Sequence, residues 1–525
     1  MILAPWLALC SAAQGSAGTQ TSPFEPGERW SHSPDPSQPW IPRDVAFTGD
    51  GAYLWSAPSH GSPRLQLFSS AALGSQTPIF EDANLGGPSG PLQVACGVDA
   101  SQLFSLAQFP ASGGGQRWTR ASRYDARSAA RGAAFAPLWT RSLSLPANGP
   151  GLMACTPDGS RLALAAFDAT RGALQLALLD GVTGDLCFEL SLPGAGLERL
   201  QLADDAGRIL VGAASVAYVL DASGQELFRR QSPQPCAVPM FSGDGSSLAL
   251  GGKGVLELFV DDGTGYLRSD VWNYAASELC ALLALSGDAS TLASGWWDFS
   301  NGNDVRLEVL EVQTGALQLS LSQTGSSSGL QNFPAGLSLS QDGQRVAFGL
   351  WGTGDARPEL YLFDLGQSAA LLALDLEGSV QALDLNAEGT RLGVALKATH
   401  ANLSSAMGRT ALFQTGEGDL QLEAAARLGG QLRLRCLPPQ ASSVLFILGR
   451  PLAPMLPLKQ GLLGIDWSRP RFSLLGQLLG DGSYGASTAL PPSTALVGTS
   501  FAAQGLAFGA PGLRLSQRIV RFELL

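Results

Sequence analysis

The sequence predicts an all-β chain: an eight-bladed β-propeller, with seven blades as the alternative count, followed by a small β-sandwich. Three observations carry that expectation. An acidic corner recurs eight times at blade-like spacing, and alternating apolar hairpins flank it. The chain also holds 64 glycines and 32 prolines beside 45 % hydrophobic and only 15 % charged residues, a composition suited to many turns around a large core. At 525 residues it exceeds one ordinary domain unless a repeat spreads it over small units.

Taken in order, residues 1–17 read as a secretory signal. MILAPWLALCSAAQGSAG runs apolar from Ile2 to Leu9 and then turns to small residues, with cleavage expected after Ala13 or Ala17. Leu9 is too bulky for Cys10 to be a lipidated cysteine. Residues 18–43 hold six prolines (Pro23, Pro26, Pro34, Pro36, Pro39, Pro42) and predict an extended linker.

The propeller is expected over residues 44–423. Its corner appears in FTGDGAYLW, GVDASQLFSL, TPDGSRLALAAF, ADDAGRILVGA, SGDGSSLALGG, SGDASTLASGWW, SQDGQRVAFGLW and NAEGTRLGVAL. The anchors are Asp50, Asp99, Asp158, Asp205, Asp244, Asp288, Asp342 and Glu388, separated by 39 to 59 residues, the period of a propeller blade. A period of two on each side of an Asp-Gly pair is a hairpin signal. A second hairpin follows in each unit, as in ELYLFDLGQSAALLALDL, so four antiparallel strands make one blade. An acidic residue repeated in every unit is a turn former rather than a ligand to one site.

These units resemble the WD40-like and TolB-like repeats of bacterial propellers, in which a PDG turn joins the two inner strands. The resemblance spans about 380 residues and marks fold more than function. The Trp-Asp and Gly-His pairs of true WD40 repeats are missing. Residues 424–525 lack the corner and break into strand-like pieces separated by turn residues, predicting a β-sandwich. Its LVGTSFAAQGLAF ending resembles the C-terminal domain of secreted proteins of planctomycete-type bacteria, which implies placement outside the cytoplasm: secreted, periplasmic or at the cell surface.

The charge balance excludes one class of partner. A net charge of −11, three lysines (Lys253, Lys397, Lys459) and no basic run leave no footprint for nucleic acid. No later run reaches the roughly 18 apolar residues of a membrane span. GDGSYG at 480–485 fits a dinucleotide fingerprint, but ASTALPP follows it instead of a helix, so no cofactor is expected. GSSSG at 325–329 fits a nucleophile elbow without the helix it needs. His32 in the linker, His60 and His400 in loops are scattered and read as solvated, giving no metal site or triad. DFSNGND (Asp298 to Asp304) and DDGTG (Asp261, Asp262) are oxygen-rich, but Asx turns explain them as well as calcium does. Cys96 and Cys155, and likewise Cys236 and Cys280, occupy equivalent places in adjacent units; neighbouring blades hold such positions too far apart for a bridge, so free thiols are expected.

One constellation follows from phase. Nine residues after the anchor stand Phe167, Trp297 and Trp351, with Trp296 and Asp298 beside Trp297, and Lys253 and Lys397 in other units. They predict a ligand or partner surface on the rim opposite the Asp-Gly corners, packing between blades being the competing explanation. The reading is a non-enzymatic scaffold binding a protein or carbohydrate. The alternative is an extracytoplasmic enzyme at the channel mouth, a quinoprotein-like oxidoreductase or a lyase or hydrolase acting on polysaccharide, for which converging acids and bases look sparse.

Overall fold

The computed structural model describes residues 27–33 and 40–523 apart from short stretches, the longest being 83–91, 127–135, 423–430 and 491–499. All its named elements are β-strands. Seven four-stranded antiparallel sheets follow the chain in order. Sheet 1 holds Trp40–Phe47, Tyr53–Gly61, Leu65–Ser69 and Phe80–Asp82, and sheet 2 holds Gln93–Cys96, Leu103–Phe109, Arg117–Tyr124 and Trp139–Ala147. Sheets 3, 4, 5, 6 and 7 begin at Leu152, Leu197, Val238, Glu278 and Pro334.

Sheet 8 is assembled from two distant parts of the chain. Val380–Leu385, Arg391–Lys397 and Gly408–Gln414 supply three strands, and Gly27–His32 pairs antiparallel with Gly408–Gln414 as the fourth. The expected linker over 18–43 is therefore corrected on two counts. It contains this strand, and the first strand of sheet 1 already begins at Trp40. The boundary at 423 also moves, because Leu420–Leu422 pairs with Gln431–Cys436 of the C-terminal part. Eight four-stranded sheets among the described residues are consistent with the count of eight.

The corners of sheets 3, 5, 6 and 7 are small hydrogen-bonded devices. The hydroxyl two residues before the anchor donates to the anchor carboxylate: Thr156 to Asp158, Ser242 to Asp244, Ser286 to Asp288 and Ser340 to Asp342, at 2.6 to 2.7 Å. It also accepts the N–H that opens the second strand, from Arg161, Ser247, Thr291 and Arg345 at 3.0 to 3.1 Å. The anchor carboxylate in turn accepts the N–H two residues on, from Ser160, Ser246, Ser290 and Gln344. Asp342 is thus fully engaged as a turn former. The next residue takes the left-handed conformation. Glycine fills it at Gly159, Gly245 and Gly343, but sheets 4 and 6 place Ala206 (φ 58°) and Ala289 (φ 60°) there. Because an alanine in that region costs roughly 1–2 kcal/mol and glycine loses more chain entropy on folding, Ala289→Gly is expected to stabilise by about 0.5 kcal/mol. A denaturation midpoint that falls would contradict this.

The second strands are almost wholly buried, and the fourth strands of sheets 3, 4 and 6 alternate exposed with half-buried residues. Each core cluster draws on two neighbouring sheets, so it is the faces between sheets that exclude water. Trp55 and Tyr53 of sheet 1 pack on Leu103 and Tyr124 of sheet 2, and Val346 and Phe348 of sheet 7 on Val305 and Leu307 of sheet 6. Trp30, Ala395 and Leu412 of sheet 8 pack on Val45, Phe47, Leu54 and Phe68 of sheet 1.

Side chains of the first strands clasp the next sheet's backbone. Gln201 accepts the Phe241 N–H at 2.9 Å, Ser338 the Leu385 N–H at 3.1 Å, Asp384 the Phe47 N–H at 2.9 Å and Asp44 the Val94 N–H at 3.0 Å. The seams on either side of sheet 1 are thus clasped by carboxylates. Burial pushes the Asp384 carboxyl up to about 7, with the neighbouring Asp44 adding to it, and pushes Asp44 up to about 6.

In the C-terminal part, two four-stranded sheets face each other across one core. Leu420–Leu422, Gln431–Cys436, Tyr484–Ala489 and Gln477–Leu478 form one; Phe472–Leu475, Ala441–Gly449, Ser500–Gly509 and Gly512–Glu523 form the other. Leu432, Leu434 and Tyr484 from the first meet Val444, Phe446 and Leu448 from the second.

Candidate interaction surface

The two phase-nine tryptophans are brought into one row. Trp297 ends the second strand of sheet 6, Thr291–Asp298, and Trp351 lies one residue past Arg345–Leu350 of sheet 7. Phe333 joins them: its ring centroid lies 5.2 Å from that of Trp297 and 5.2 Å from that of Trp351. Phe299 extends the row beyond Trp297 at 5.5 Å, and the Lys253 ammonium of sheet 5 stands 5.4 Å from the Phe299 ring, within cation–π range. Phe299 is exposed, and Trp297, Phe333 and Trp351 are half-buried. The rings are inclined to one another by 50 to 80°, so the row offers notches between edges rather than one flat face.

Phe333 lies outside the forward phase, yet the sequence carries a signal for it. It lies nine residues before the Asp342 anchor, which places it across the hairpin from Trp351, and the Trp351 N–H donates to the Phe333 carbonyl at 3.0 Å. Phase must be counted in both directions from the corner.

The other predicted residues do not join the row. Trp296 is 1 % exposed and packs against Tyr274, its indole N–H donating to Ser294. Successive strand residues face opposite sides of a sheet, so Trp296 is a packing residue between sheets 5 and 6 and is removed from the surface. Phe167 is half-buried against the cluster shared by sheets 3 and 4. Asp298 accepts the Ser300 N–H and hydroxyl and the Ser277 hydroxyl, an Asx turn. The Lys397 ammonium donates to the Leu403 carbonyl at 3.0 Å and borders a separate cavity of about 130 Å³ with Ser33, Gly378, Met407 and Arg409.

Beneath Trp351 lies an arrangement the sequence did not disclose. Glu359, fully buried just before the third strand of sheet 7, Leu360–Asp364, accepts the Leu376 N–H at 2.7 Å through Oε2. Its Oε1 faces His400 Nδ1 at 3.6 Å, and both atoms are buried without a hydrogen bond among the described residues. Burial pushes the Glu359 carboxyl up to about 7, with Asp375 and Asp355 adding to the rise. Gly352 (φ 77°) packs on this carboxylate, where any side chain would collide with it. The Ser379 hydroxyl donates to the Trp351 carbonyl at 2.6 Å and to the Thr399 carbonyl at 3.0 Å.

Two histidines expected in solvent are packed. His32 belongs to the strand Gly27–His32, its ring 5.1 Å from Phe68 and in edge contact with Trp40; His400 faces Glu359. The described cysteines, Cys96, Cys155, Cys187, Cys280 and Cys436, are free thiols; Cys10 and Cys236 lie outside the described residues. Burial pushes the Cys155 thiol up to about 12. In DDGTG, Asp262 accepts the Thr264 N–H and hydroxyl, again a turn. No cluster of three metal-ligating side chains occurs among the described residues. Most of GDGSYG and GSSSG lies outside them, and Tyr484–Ala489 is a strand where a dinucleotide site needs a helix. No helix there is long and apolar enough to cross a membrane.

No family model and no curated protein matches the chain in sequence. Among solved structures, that of Chaetomium thermophilum Sqt1, a WD40 β-propeller protein, aligns with a TM-score of 0.52 at 15 % identity, covering 75 % of this chain and 99 % of that one. The fold is a WD40-like β-propeller. At this identity the likeness speaks for architecture alone, so any functional reading of the propeller rests on its own residues.

Proposed function

We propose that this propeller is a non-enzymatic interaction scaffold acting outside the cytoplasm, and that the row Phe299–Trp297–Phe333–Trp351 is where a protein partner docks. The row is the observation that carries the reading. Half-buried aromatic rings held rigid by neighbouring sheets contribute large contact area at little entropic cost, the property of binding hot spots. Their mutual inclination favours a protein's separate apolar side chains over sugar rings, which stack on flat faces.

In this reading the eight sheets close into a ring. The Gly27–His32 strand and the Trp30 contact with sheet 1 support closure, the facing C-terminal sheets support a β-sandwich, and the apolar stretch Ile2–Leu9 supports export. Cleavage after Ala13 or Ala17 leaves the Gly27 strand intact, and the mass of the exported protein checks it.

The test is a Trp297→Ala, Trp351→Ala double variant of the full chain. Proteins cross-linked to it on producing cells are expected to fall at least tenfold, about 1.4 kcal/mol, relative to the unaltered chain, with Tm changed by only a few degrees. Equal recovery by both proteins, or a variant that no longer folds, counts against the reading.

A further inference from the structure

We propose that the cavity beside sheet 8 is a binding site for a small carboxylate with a short apolar body, held by Lys397 and Arg409. The site lies apart from the docking row, and neither depends on the other.

Four stretches of chain build it. Ser33 follows the strand Gly27–His32, Leu376 and Gly378 lie on the connection from sheet 7 to sheet 8, Lys397 and Ala398 stand at the end of the second strand of sheet 8, and Gly408 and Arg409 open its third. Two glycines let these stretches approach. Gly378 packs on the Lys397 carbonyl, and Gly408 on the Leu396 carbonyl and on Pro42 of sheet 1, places where a side chain would collide with its neighbour. Lys397 stands nine residues after Glu388, as Trp297 and Trp351 do after their anchors, so the cavity lies on the rim that carries the aromatic row.

Size and lining choose the occupant. At about 130 Å³ the cavity is well below the roughly 300–1,000 Å³ of sites for drug-sized ligands, which limits the occupant to a few heavy atoms. Leu376, Leu396 and Met407 give it apolar walls, and Lys397 and Arg409 give it charge. In a chain with three lysines and a net charge of −11, two cations on one small cavity are a local excess of positive charge. Arg43 of sheet 1 adds to it: burial first, and then this neighbouring cation, hold Lys397 below the usual lysine value, a crowding that a bound anion relieves. A guanidinium carries several N–H donors in a planar fork that matches a carboxylate, and Arg409 meets Glu28 through Nη1. Lys397 supplies the second charge, its ammonium also donating to the Leu403 carbonyl. Glu377, exposed and part of the same lining, repels a second negative charge, so a monocarboxylate fits better than phosphate. Two sources share this chemistry, a free short-chain acid and the C-terminal residue of a peptide.

Titration of the full chain with isobutyrate, followed by calorimetry, is expected to show saturable binding with a Kd of about 1 mM or below, within reach of its few heavy atoms. Lys397→Met and Arg409→Met are each expected to weaken it at least about tenfold. Ala398→Leu, which fills the cavity and leaves both cations in place, is expected to abolish it. The three variants act independently, so one that melts early leaves the other two to decide. N-acetyl-Gly-Val with a free C-terminus separates the sources: binding as tight as that of isobutyrate assigns the site to a chain terminus, and binding of isobutyrate alone assigns it to a free acid. Equal binding of the peptide's C-terminal amide, phosphate bound as tightly as isobutyrate, a titration that does not saturate, or an affinity unaltered in the folded variants overturns the proposal. Because no protein partner enters the measurement, its failure is distinct from failure of the docking row, which the double-tryptophan variant tests.

Discussion

Removing residues 1–33 lowers Tm by more than about 10 °C or prevents folding. Trp30 alone, 1 % exposed against Phe68, Phe47 and Leu412, is worth roughly 3–5 kcal/mol on truncation. Its loss is compounded by that of the backbone ladder to Gly408–Gln414, of the Arg29 bond to Gln414 at 2.7 Å and of the Glu28–Arg409 pair. The truncation bares the long Gly408–Gln414 edge, and bare edges recruit other chains, so aggregation should accompany the loss. A synthetic peptide covering residues 24–36, added to the truncated chain, should restore part of the stability in proportion to its concentration. A truncated chain that melts like the full one would show that the strand is a passenger.

The second large effect concerns pH. Asp384 and Asp44 are raised in the fold from 3.8 to about 7 and about 6, chiefly by burial, so the folded chain holds their protons more tightly than the unfolded chain. Stability from these protons is present in full below about pH 4, the unfolded value, and is lost as pH rises through 6 and 7. The protein is therefore expected to melt higher at pH 5 than at pH 8. Asp384→Asn keeps an oxygen acceptor for the Phe47 N–H but removes the charge. At pH 8 it should stabilise by about 1–2 kcal/mol, or roughly 2–4 °C, with the gain falling as pH drops through 7 and absent below about pH 4. Glu359 titrates in the same window, so some slope persists in the variant. A fall in Tm at pH 8 would mean that the carboxylate's stronger acceptance of the Phe47 N–H outweighs the cost of burying its charge.

Both predictions turn on features of unequal visibility in the sequence. The blades are legible because the corner is local: an anchor, a hydroxyl two residues before it and a residue in left-handed backbone all lie within one turn, and repetition amplifies them. The Gly27–His32 strand is not legible, since GERWSH is short, is flanked by prolines and pairs with Thr410 to Gln414, more than 370 residues away. Trp296 and Trp297 differ by one residue, and only the side of the sheet each faces separates a packing ring from a docking ring. Phe333 precedes its anchor by the nine residues by which Trp351 follows it, a relation that forward spacing does not expose. The Glu359–His400 contact joins loops of two blades through residues that no spacing relates.

The composite eighth sheet also sets an order of events. Its outer strand is synthesised some 380 residues before its partner, Gly408–Gln414, so the strand waits unpaired while seven sheets are made. Holding so long a loop closed adds little to the equilibrium cost, since each doubling of length adds only about 0.6 kcal/mol, but contacts between such distant residues slow folding. The last sheet can form only after residue 414 has emerged. A chain exported in an extended state would meet that condition after crossing, when both of its separated strands are on the same side of the membrane.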